Sequence, residues 1–450
     1  MQEGSRTSVA AAFRSRDFRL YQAARVAVVT GAEAQAVAVA WQVYQITHSP
    51  LDLGYTGLAL FLPGLFFLLP AGHVADRFDR RQVVLVCYCL QALCTWALLW
   101  FAWRGITHVM PIYAVLFLIG TGRAFSGPAS SALIPQLVPK EDFVNAVTWG
   151  ASIFQFATVV GPSVGGLLFT LPLAGAADPG ALFAHAGASG SLAGAGIVYL
   201  FTLATLVWFV TLVSLLRVRP GRMEHKAISV DVILAGVRYV MKTQVLLGSI
   251  SLDLFAVLLG GAVALLPIFA HQILDAGPRG LGILRAAPGV GALAVSLWLT
   301  ARPLRRRAGL RMLICYGIFG AMTILFGLSR SLALSIVALL ILGAADMVSV
   351  VIRSSVLQLA TPPEMRGRVS AVNSLFVGAS NEFGEFESGV TAQWWGAVRA
   401  VVIGGVGALA VTGLWAVFFP SLRRINQLTP EALMQAELQA SGADVQEQER

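Results

Sequence analysis

Uncharged apolar runs recur along the whole chain, separated by short clusters of charged and turn-forming residues. Residues 82–103, 312–329 and 400–422 contain no Asp, Glu, Lys or Arg at all. A membrane-spanning helix needs about 20 mostly apolar residues. Reading each apolar run between charge clusters as one span predicts helices near 20–46, 52–75, 82–103, 109–135, 143–170, 195–217, 245–273, 279–301, 311–328, 332–357, 368–395 and 398–420. Gly and Pro inside these runs blur the helix ends without arguing against them, because membrane helices tolerate both. The pattern therefore predicts an all-α integral membrane protein with twelve transmembrane helices.

Composition agrees, since 57% of the 450 residues are hydrophobic and 12% charged, against about a quarter charged in a soluble domain. The net charge of +9 raises nucleic acid as a partner. Lys and Arg, however, lie in short clusters between apolar runs and not along one polar face, which points to anionic lipid headgroups instead. With the N-terminus inside, 24 of the 32 Lys and Arg fall on inner segments, against four (Arg104, Arg279, Arg330, Arg399) on outer loops. That bias predicts both termini in the cytoplasm. Cys87, Cys89, Cys94 and Cys315 all lie inside predicted spans, so neither a disulfide framework nor a metal site is expected. The first apolar run is too long for the core of a signal peptide, and no cleaved targeting segment is expected.

One sequence offset recurs. Arg77, Arg80 and Arg81 reappear 225 residues on as Arg302, Arg305 and Arg306, and Val144, Ala146 and Val147 as Val369, Ala371 and Val372. A shift of 228 maps Pro50, Leu53 and Gly54 onto Pro278, Leu281 and Gly282. Self-similarity of this kind decides architecture and predicts two six-helix halves of like orientation. The expected division is a cytoplasmic segment 1–19, a bundle 20–217, a cytoplasmic linker 218–244, a second bundle 245–420 and a tail 421–450. Residues 172–196 read as a flexible Gly- and Ala-rich outer loop, and Thr429 with Pro430 reads as the start of a short helix.

The stretch "GHVADRFDRRQ", residues 72–82, places five charges between two apolar runs. Gly72, Ala75, Asp76, Arg77, Arg80 and Arg81 match the loop signature between the second and third spans of the major facilitator superfamily, with Val74 where Leu is usual and Asp79 where Gly is usual. The chain resembles that superfamily from about residue 13 to 424, in particular its bacterial, enterobactin-exporter-like branch. The resemblance implies the major facilitator fold of two pseudo-symmetric six-helix bundles in the bacterial cytoplasmic membrane. It implies a cytoplasmic gate loop whose Asp76 bonds toward the start of the eleventh helix. A carboxylate at a helix N-terminus gains about 0.3 to 1 kcal/mol there.

"GPSVGG" in the fifth span, with Gly161, Pro162, Gly165 and Gly166, resembles the superfamily's antiporter signature. Small residues let helices approach closely and Pro bends the span. The same letters spell G-x-S-x-G, but a hydrolase elbow needs a strand, a sharp turn and a His partner, all foreign to this apolar helix. "RAFSGP", with Arg123 and Gly127, resembles a pattern that places an arginine in the membrane near the transport path. "GAADMVSVVIR" and "SNEFGEFESG" also look like this exporter branch.

An ionisable side chain at the centre of a span costs about 2.5 to 3.5 kcal/mol on insertion scales. Glu33, Arg123, Asp346 and Glu382 fall near mid-span, with Glu385 one turn from Glu382, Asp253 nearer the cytoplasmic end and Arg353 seven residues from Asp346 on the same helix face. Exposure of four such groups to lipid would cost on the order of 10 kcal/mol. They are expected to face a polar interior that takes up and releases protons while a small-molecule substrate passes, or to form fixed ion pairs between helices.

The expected function is a secondary transporter, acting as a monomer without a cofactor, that exports a siderophore, drug or metabolite by proton antiport with alternating access. An importing symporter shares the gate loop, and a receptor or scaffold would leave the mid-span acids unexplained. An ATP-driven pump is disfavoured, because none of Lys140, Lys226 and Lys242 stands in a phosphate-binding loop. An enzyme is disfavoured because the six histidines form no H-x-x-x-H pair.

Overall fold

The computed structural model describes residues 11–170, 190–217, 230–302, 307–362 and 364–441. Of the expected outer loop, residues 172–189 lie outside them, as does the first part of the expected linker, 218–229; residues 190–196 are helical instead of loop, because this Gly- and Ala-rich stretch runs straight into the apolar span that follows it. Two compact units emerge: Met1–Ile46 with Ala59–Ile228, and Thr47–Leu58 with Ser229–Arg450. The chain runs through α1 (Arg16–Thr47), α2 (Pro50–Phe66), α3 (Leu68–Arg77), α4 (Arg80–Arg104), α5 (Met110–Leu137), α6 (Phe143–Leu168) and α7 (Gly190–Ser214). After it come α8 (Val230–Lys242), α9 (Gln244–Leu259), α10 (Gly277–Ala301), α11 (Ala308–Leu328), α12 (Leu332–Leu359), α13 (Arg366–Trp395), α14 (Ala397–Phe418) and α15 (Pro430–Ser441).

The solvent for these helices is legible in α4. Val84, Cys87, Gln91, Thr95, Leu98 and Ala102, spaced three and four apart, turn inward, yet the opposite face exposes Val86, Leu93, Trp96, Trp100 and Trp103. A helix that is apolar outside as well as inside belongs in hydrocarbon. At its C-terminal end Trp96 stacks near Trp100, and the Arg104 guanidinium lies 4.6 Å from the Trp100 ring centre. Such an aromatic and basic collar is the chemistry of a membrane interface.

Ten helices among the described residues are long and apolar enough to cross a membrane. The remaining two of the twelve expected spans each depart from a plain apolar helix for a stated reason. The second is divided into α2 and α3 at Phe67, where Pro70 cannot donate to the Phe66 carbonyl. The eleventh, α13, runs 30 residues but carries Arg366, Arg368, Glu382, Glu385 and Glu387. The seventh, 244–273, continues α9 through a 3-10 turn at Ala262–Leu265 and a wide π turn at Phe269–Ile273. The change of course begins at Gly260 and Gly261; a β-carbon on Gly261 would lie 2.9 Å from the Gly384 backbone of α13.

Close packing in the bundles uses small residues, as membrane helices do for want of a hydrophobic drive. A β-carbon on Gly343 of α12 would collide with the Pro288 carbonyl of α10, and one on Gly291 of α10 with the Leu340 carbonyl of α12. The helix starts at Pro50 and at Pro278 occupy like positions, each Pro in the first turn, where its missing N–H has no partner to lose. This agrees with the internal repeat.

The expected terminal helix forms as α15. Thr429 opens it, its hydroxyl accepting from the Ala432 N–H at 3.3 Å, and Leu433 and Ala436 are buried beneath it. Its Glu437 carboxylate accepts from the N–H groups of Gln244 at 2.5 Å and Val245 at 3.0 Å. Thr243 makes no such cap for α9, so Glu437 supplies from afar what the local sequence lacks.

Candidate functional site

In the first unit, α1 is held by glycines on two sides. Gly161 of α6 faces the Glu33 β-carbon at 2.5 Å and the Thr30 carbonyl at 3.0 Å from where its own β-carbon would stand, and Gly165 faces Ala34 at 2.8 Å. On α7, the Thr202 hydroxyl donates to the Gly31 carbonyl at 3.0 Å. The "GPSVGG" segment therefore lies directly behind the residue expected to carry charge. Gly161 and Gly165 are buried, with Pro162 and Gly166 beside them in the same helix.

Glu33 emerges from this grip into a cavity of about 270 Å³ that Arg123 of α5 also lines. Neither the Glu33 carboxylate nor the Arg123 guanidinium has an ion pair or hydrogen bond among the described residues. The other polar groups come from α1, α4 and α7. Thr95 donates to Gln35 at 2.9 Å. The Gln91 Nε2 is buried without a partner among the described residues, on a side chain 8% exposed. The walls include Tyr88, stacked on Phe209 with centroids 3.9 Å apart, and Phe154, whose ring centre lies 5.6 Å from the Arg25 guanidinium.

The second unit carries a different arrangement. Asp253 of α9 and Arg353 of α12 form an ion pair, 3% and 5% exposed, and the Tyr316 hydroxyl of α11 donates to Asp253 at 2.7 Å. Three helices are thereby tied at one buried point. Asp346, two turns from Arg353 on α12, is half-buried and makes neither an ion pair nor a hydrogen bond among the described residues. The geometry thus separates two acids that sequence places in one group: Asp253 is engaged by two partners and Asp346 by none among the described residues. Glu382 and Glu385 of α13 sit against Gly57 of α2, where an added β-carbon would meet their carboxylate oxygens at 3.0 and 2.9 Å. Glu387 accepts from the Thr391 hydroxyl at 2.6 Å.

The residues expected to form the gate loop lie at the end of α3 (Gly72, Asp76, Arg77) and the start of α4 (Arg80, Arg81), on either side of the turn at Phe78 and Asp79. Asp79 caps α4, accepting from the Arg81 N–H at 2.9 Å. Arg81 donates through Nε to the Val213 carbonyl at 3.1 Å and also to the Ser214 carbonyl. It thus satisfies the free carbonyls that end α7 and sets a cation at the negative end of that helix. Gly72 and Arg80 are buried and Arg77 is exposed. The side chain of Asp76 lies outside the described residues, as do Arg305 and Arg306 of the repeat.

A family model described as transmembrane secretion effector matches residues 7–447. The chain belongs to the transmembrane secretion effector family of the major facilitator superfamily. It is 26% identical over 429 residues to the enterobactin exporter EntS of Escherichia coli O1:K1 / APEC, covering 92% of this chain and 94% of that protein. Solved structures agree in fold. A mutant of the nucleoside transporter NupG matches with a TM-score of 0.69 at 12% identity, over 90% of this chain and 100% of that one. A bacterial homologue of the human lysosomal transporter Spinster, inward-facing and unoccupied, matches with a TM-score of 0.69 at 14% identity, over 94% and 99%.

For a member of the secretion effector family, the two units offer distinct chemistry: an acid and a guanidinium left uncommitted around a cavity, and a closed ion pair beside an uncommitted acid. Gln91, Tyr88 and Tyr316 are absent from the residues the sequence nominates. Gln91 and Thr95, one turn apart in the uncharged middle of α4, were the available signal. Tyr316 had none, since an isolated Tyr in a span is commonplace at membrane interfaces.

Proposed function

We propose that the protein exports a small organic molecule across the bacterial cytoplasmic membrane in exchange for protons, by alternating access of its two halves, as a monomer with both termini in the cytoplasm. One observation carries this reading. Glu33, near the middle of a 32-residue helix, faces a cavity also lined by Arg123 with no fixed partner among the described residues. A purely structural acid in a membrane would be expected to be paired; an acid that exchanges protons or ligand must be free to do so. Glu33, Arg123 and Asp346 are assigned to proton and substrate handling, with Glu382 and Glu385 on α13 as further acids of the pathway. Asp253 is assigned to holding Arg353.

In this reading Asp76, Arg77, Arg80 and Arg81, with Gly72, form the cytoplasmic gate, and Gly161, Pro162, Gly165 and Gly166 govern the movement of α6 against α1. The membrane potential supplies about 2.3 kcal/mol per charge per 100 mV, so one proton exchanged sustains a useful gradient of cargo. The likeness to an enterobactin exporter makes siderophores and comparable metabolites the first compounds to test.

The test is counterflow and pH-gradient-driven transport in proteoliposomes, screened over a mixed panel of amphipathic compounds. Accumulation should require an opposing proton gradient and should vanish in Glu33→Gln while that variant remains folded. Uptake driven by protons moving in the same direction would favour an importing symporter. No movement of any compound, with wild-type protein correctly inserted, would reject transport of this class.

A further inference from the structure

We infer that the cavity of the first unit is a two-ended subsite for a dipolar organic acid: an anionic oxygen group bound at Arg123 and Gln91, and a hydrogen-bond donor of the same molecule bound at Glu33. The inference rests on the transporter reading above and names the chemistry of its cargo, or of its cargo's polar head.

Some of the polar atoms around the cavity are already spent. Thr95 gives its proton to Gln35, and Thr202 gives its proton to backbone carbonyls of Gly31 and Val198. Uncommitted among the described residues are Glu33, Arg123, the amide nitrogens of Gln91 and Gln35, and the Tyr88 hydroxyl, which can donate or accept. A guanidinium offers five N–H donors and an amide nitrogen two, with no acceptor among them, whereas an ionised carboxylate only accepts. One set of groups asks for acceptor oxygen and the other for a donor. A buried donor left unmatched costs about 1 to 3 kcal/mol, so the Gln91 nitrogen, on a side chain 8% exposed, gains from any acceptor oxygen brought within its reach.

Charge orders the ligands further. The charged and titratable groups around the cavity are Glu33 on α1, Tyr88 on α4 and Arg123 on α5, with Arg25 of α1 over the Phe154 ring of α6; α7 contributes only the neutral Thr202 and Leu206. One guanidinium and one carboxylate line the cavity itself, with the Arg25 cation near its Phe154 wall, which disfavours a ligand that is only a cation. The rings of Tyr88 and Phe154 give an aromatic or apolar body somewhere to lie. A volume of about 270 Å³ falls just below the range of drug-sized pockets, about 300 to 1,000 Å³, and suits one ring with its polar group or the head of a longer molecule.

The experiment uses the full chain in detergent or nanodiscs and three matched probes: L-phenylalanine with acid and amine, 3-phenylpropionate with the acid alone, and 2-phenylethylamine with the amine alone. Equilibrium dialysis reads affinity and thermal melting confirms that each variant is folded. Phenylalanine should bind best and phenylethylamine worst. Arg123→Gln should weaken phenylpropionate by about tenfold or more, the effect of one charge-assisted hydrogen bond. Arg123→Lys should keep part of that affinity, and Gln91→Leu should reduce it by a smaller factor. Glu33→Gln should cut the advantage of phenylalanine over phenylpropionate and leave phenylpropionate bound.

Equal binding of the amine and the acid, an acid affinity indifferent to Arg123→Gln, or no binding of any probe would overturn the inference. If the ranking holds and no compound is transported, the proposed function fails and the subsite stands. If transport is found without the ranking, the subsite fails alone.

Discussion

Arg353 of α12 reaches Asp253 of α9 in a buried ion pair, and the same carboxylate accepts the Tyr316 hydroxyl of α11 at 2.7 Å. Removing one partner of a buried pair costs about 3 to 5 kcal/mol, because the other charge is left uncompensated, whereas replacing both with apolar groups can be nearly neutral. Asp253→Asn and Arg353→Met should therefore each lower the melting temperature sharply, and the double variant Asp253→Leu with Arg353→Met should recover much of it. Tyr316→Phe should cost only about 1 kcal/mol, the worth of one hydrogen bond. Additive losses in the double variant would show that the two charges do not depend on each other.

Asp346 makes neither an ion pair nor a hydrogen bond among the described residues, so neutralising it orphans no charge. Asp346→Asn should keep the wild-type melting temperature within about 0.5 kcal/mol, as for a substitution away from any network, and should lose exchange driven by a pH gradient. Retained gradient-driven exchange in that variant would remove Asp346 from proton handling.

Gly161 stands where a β-carbon would press on the Glu33 β-carbon at 2.5 Å. Gly161→Ala must push α6 from α1 or turn Glu33 aside, and forcing an extra methyl into a packed site costs about 1 to 3 kcal/mol. Transport should fall more in Gly161→Ala than in Gly127→Ala, since nothing lies within 4 Å of a β-carbon at Gly127. Initial rates in proteoliposomes, normalised to inserted protein, check this, and equal rates would detach the glycine from the site.

Glu437 of α15 caps α9 through the N–H groups of Gln244 and Val245. Losing a cap costs about 0.5 to 2 kcal/mol. Glu437→Ala should therefore speed hydrogen exchange at the first turn of α9 while the middle of α9 stays protected. The Tyr239 phenol donates to the Ala360 carbonyl at 2.9 Å, and burial, with Glu437 adding to it, pushes its pKa up. That hydrogen bond should persist to alkaline pH, read as a tyrosine absorbance that titrates late and moves back toward the ordinary value in Glu437→Ala.

Much of the architecture was legible in the chain itself. The length of an apolar run fixes whether a helix crosses the bilayer, the Lys and Arg clusters mark the turns between spans, and "GHVADRFDRRQ" with "GPSVGG" points to the superfamily. These are local properties: hydrophobicity and spacing act on neighbouring residues and survive without knowledge of what packs on them. The helix ends at Pro50, Pro278 and Thr429 follow the same local rules.

Partnership was not legible. Seven residues along α12 put Asp346 and Arg353 on one face, yet Arg353 pairs with Asp253, 100 positions away, because packing of α9 against α12 brings that carboxylate closer than two turns of helix. Asp79 looked like a departure from a glycine position and is the cap of α4; Arg81 reads in the sequence as part of the loop signature and closes the end of α7. Gln91 drew no notice in an apolar span, since only the tertiary structure leaves its nitrogen buried beside a cavity with nothing to bond. Sequence determines which segments enter the membrane because each segment meets the lipid by itself. Which charges are satisfied and which remain available depends on distances between segments, and those exist only once the helices have packed.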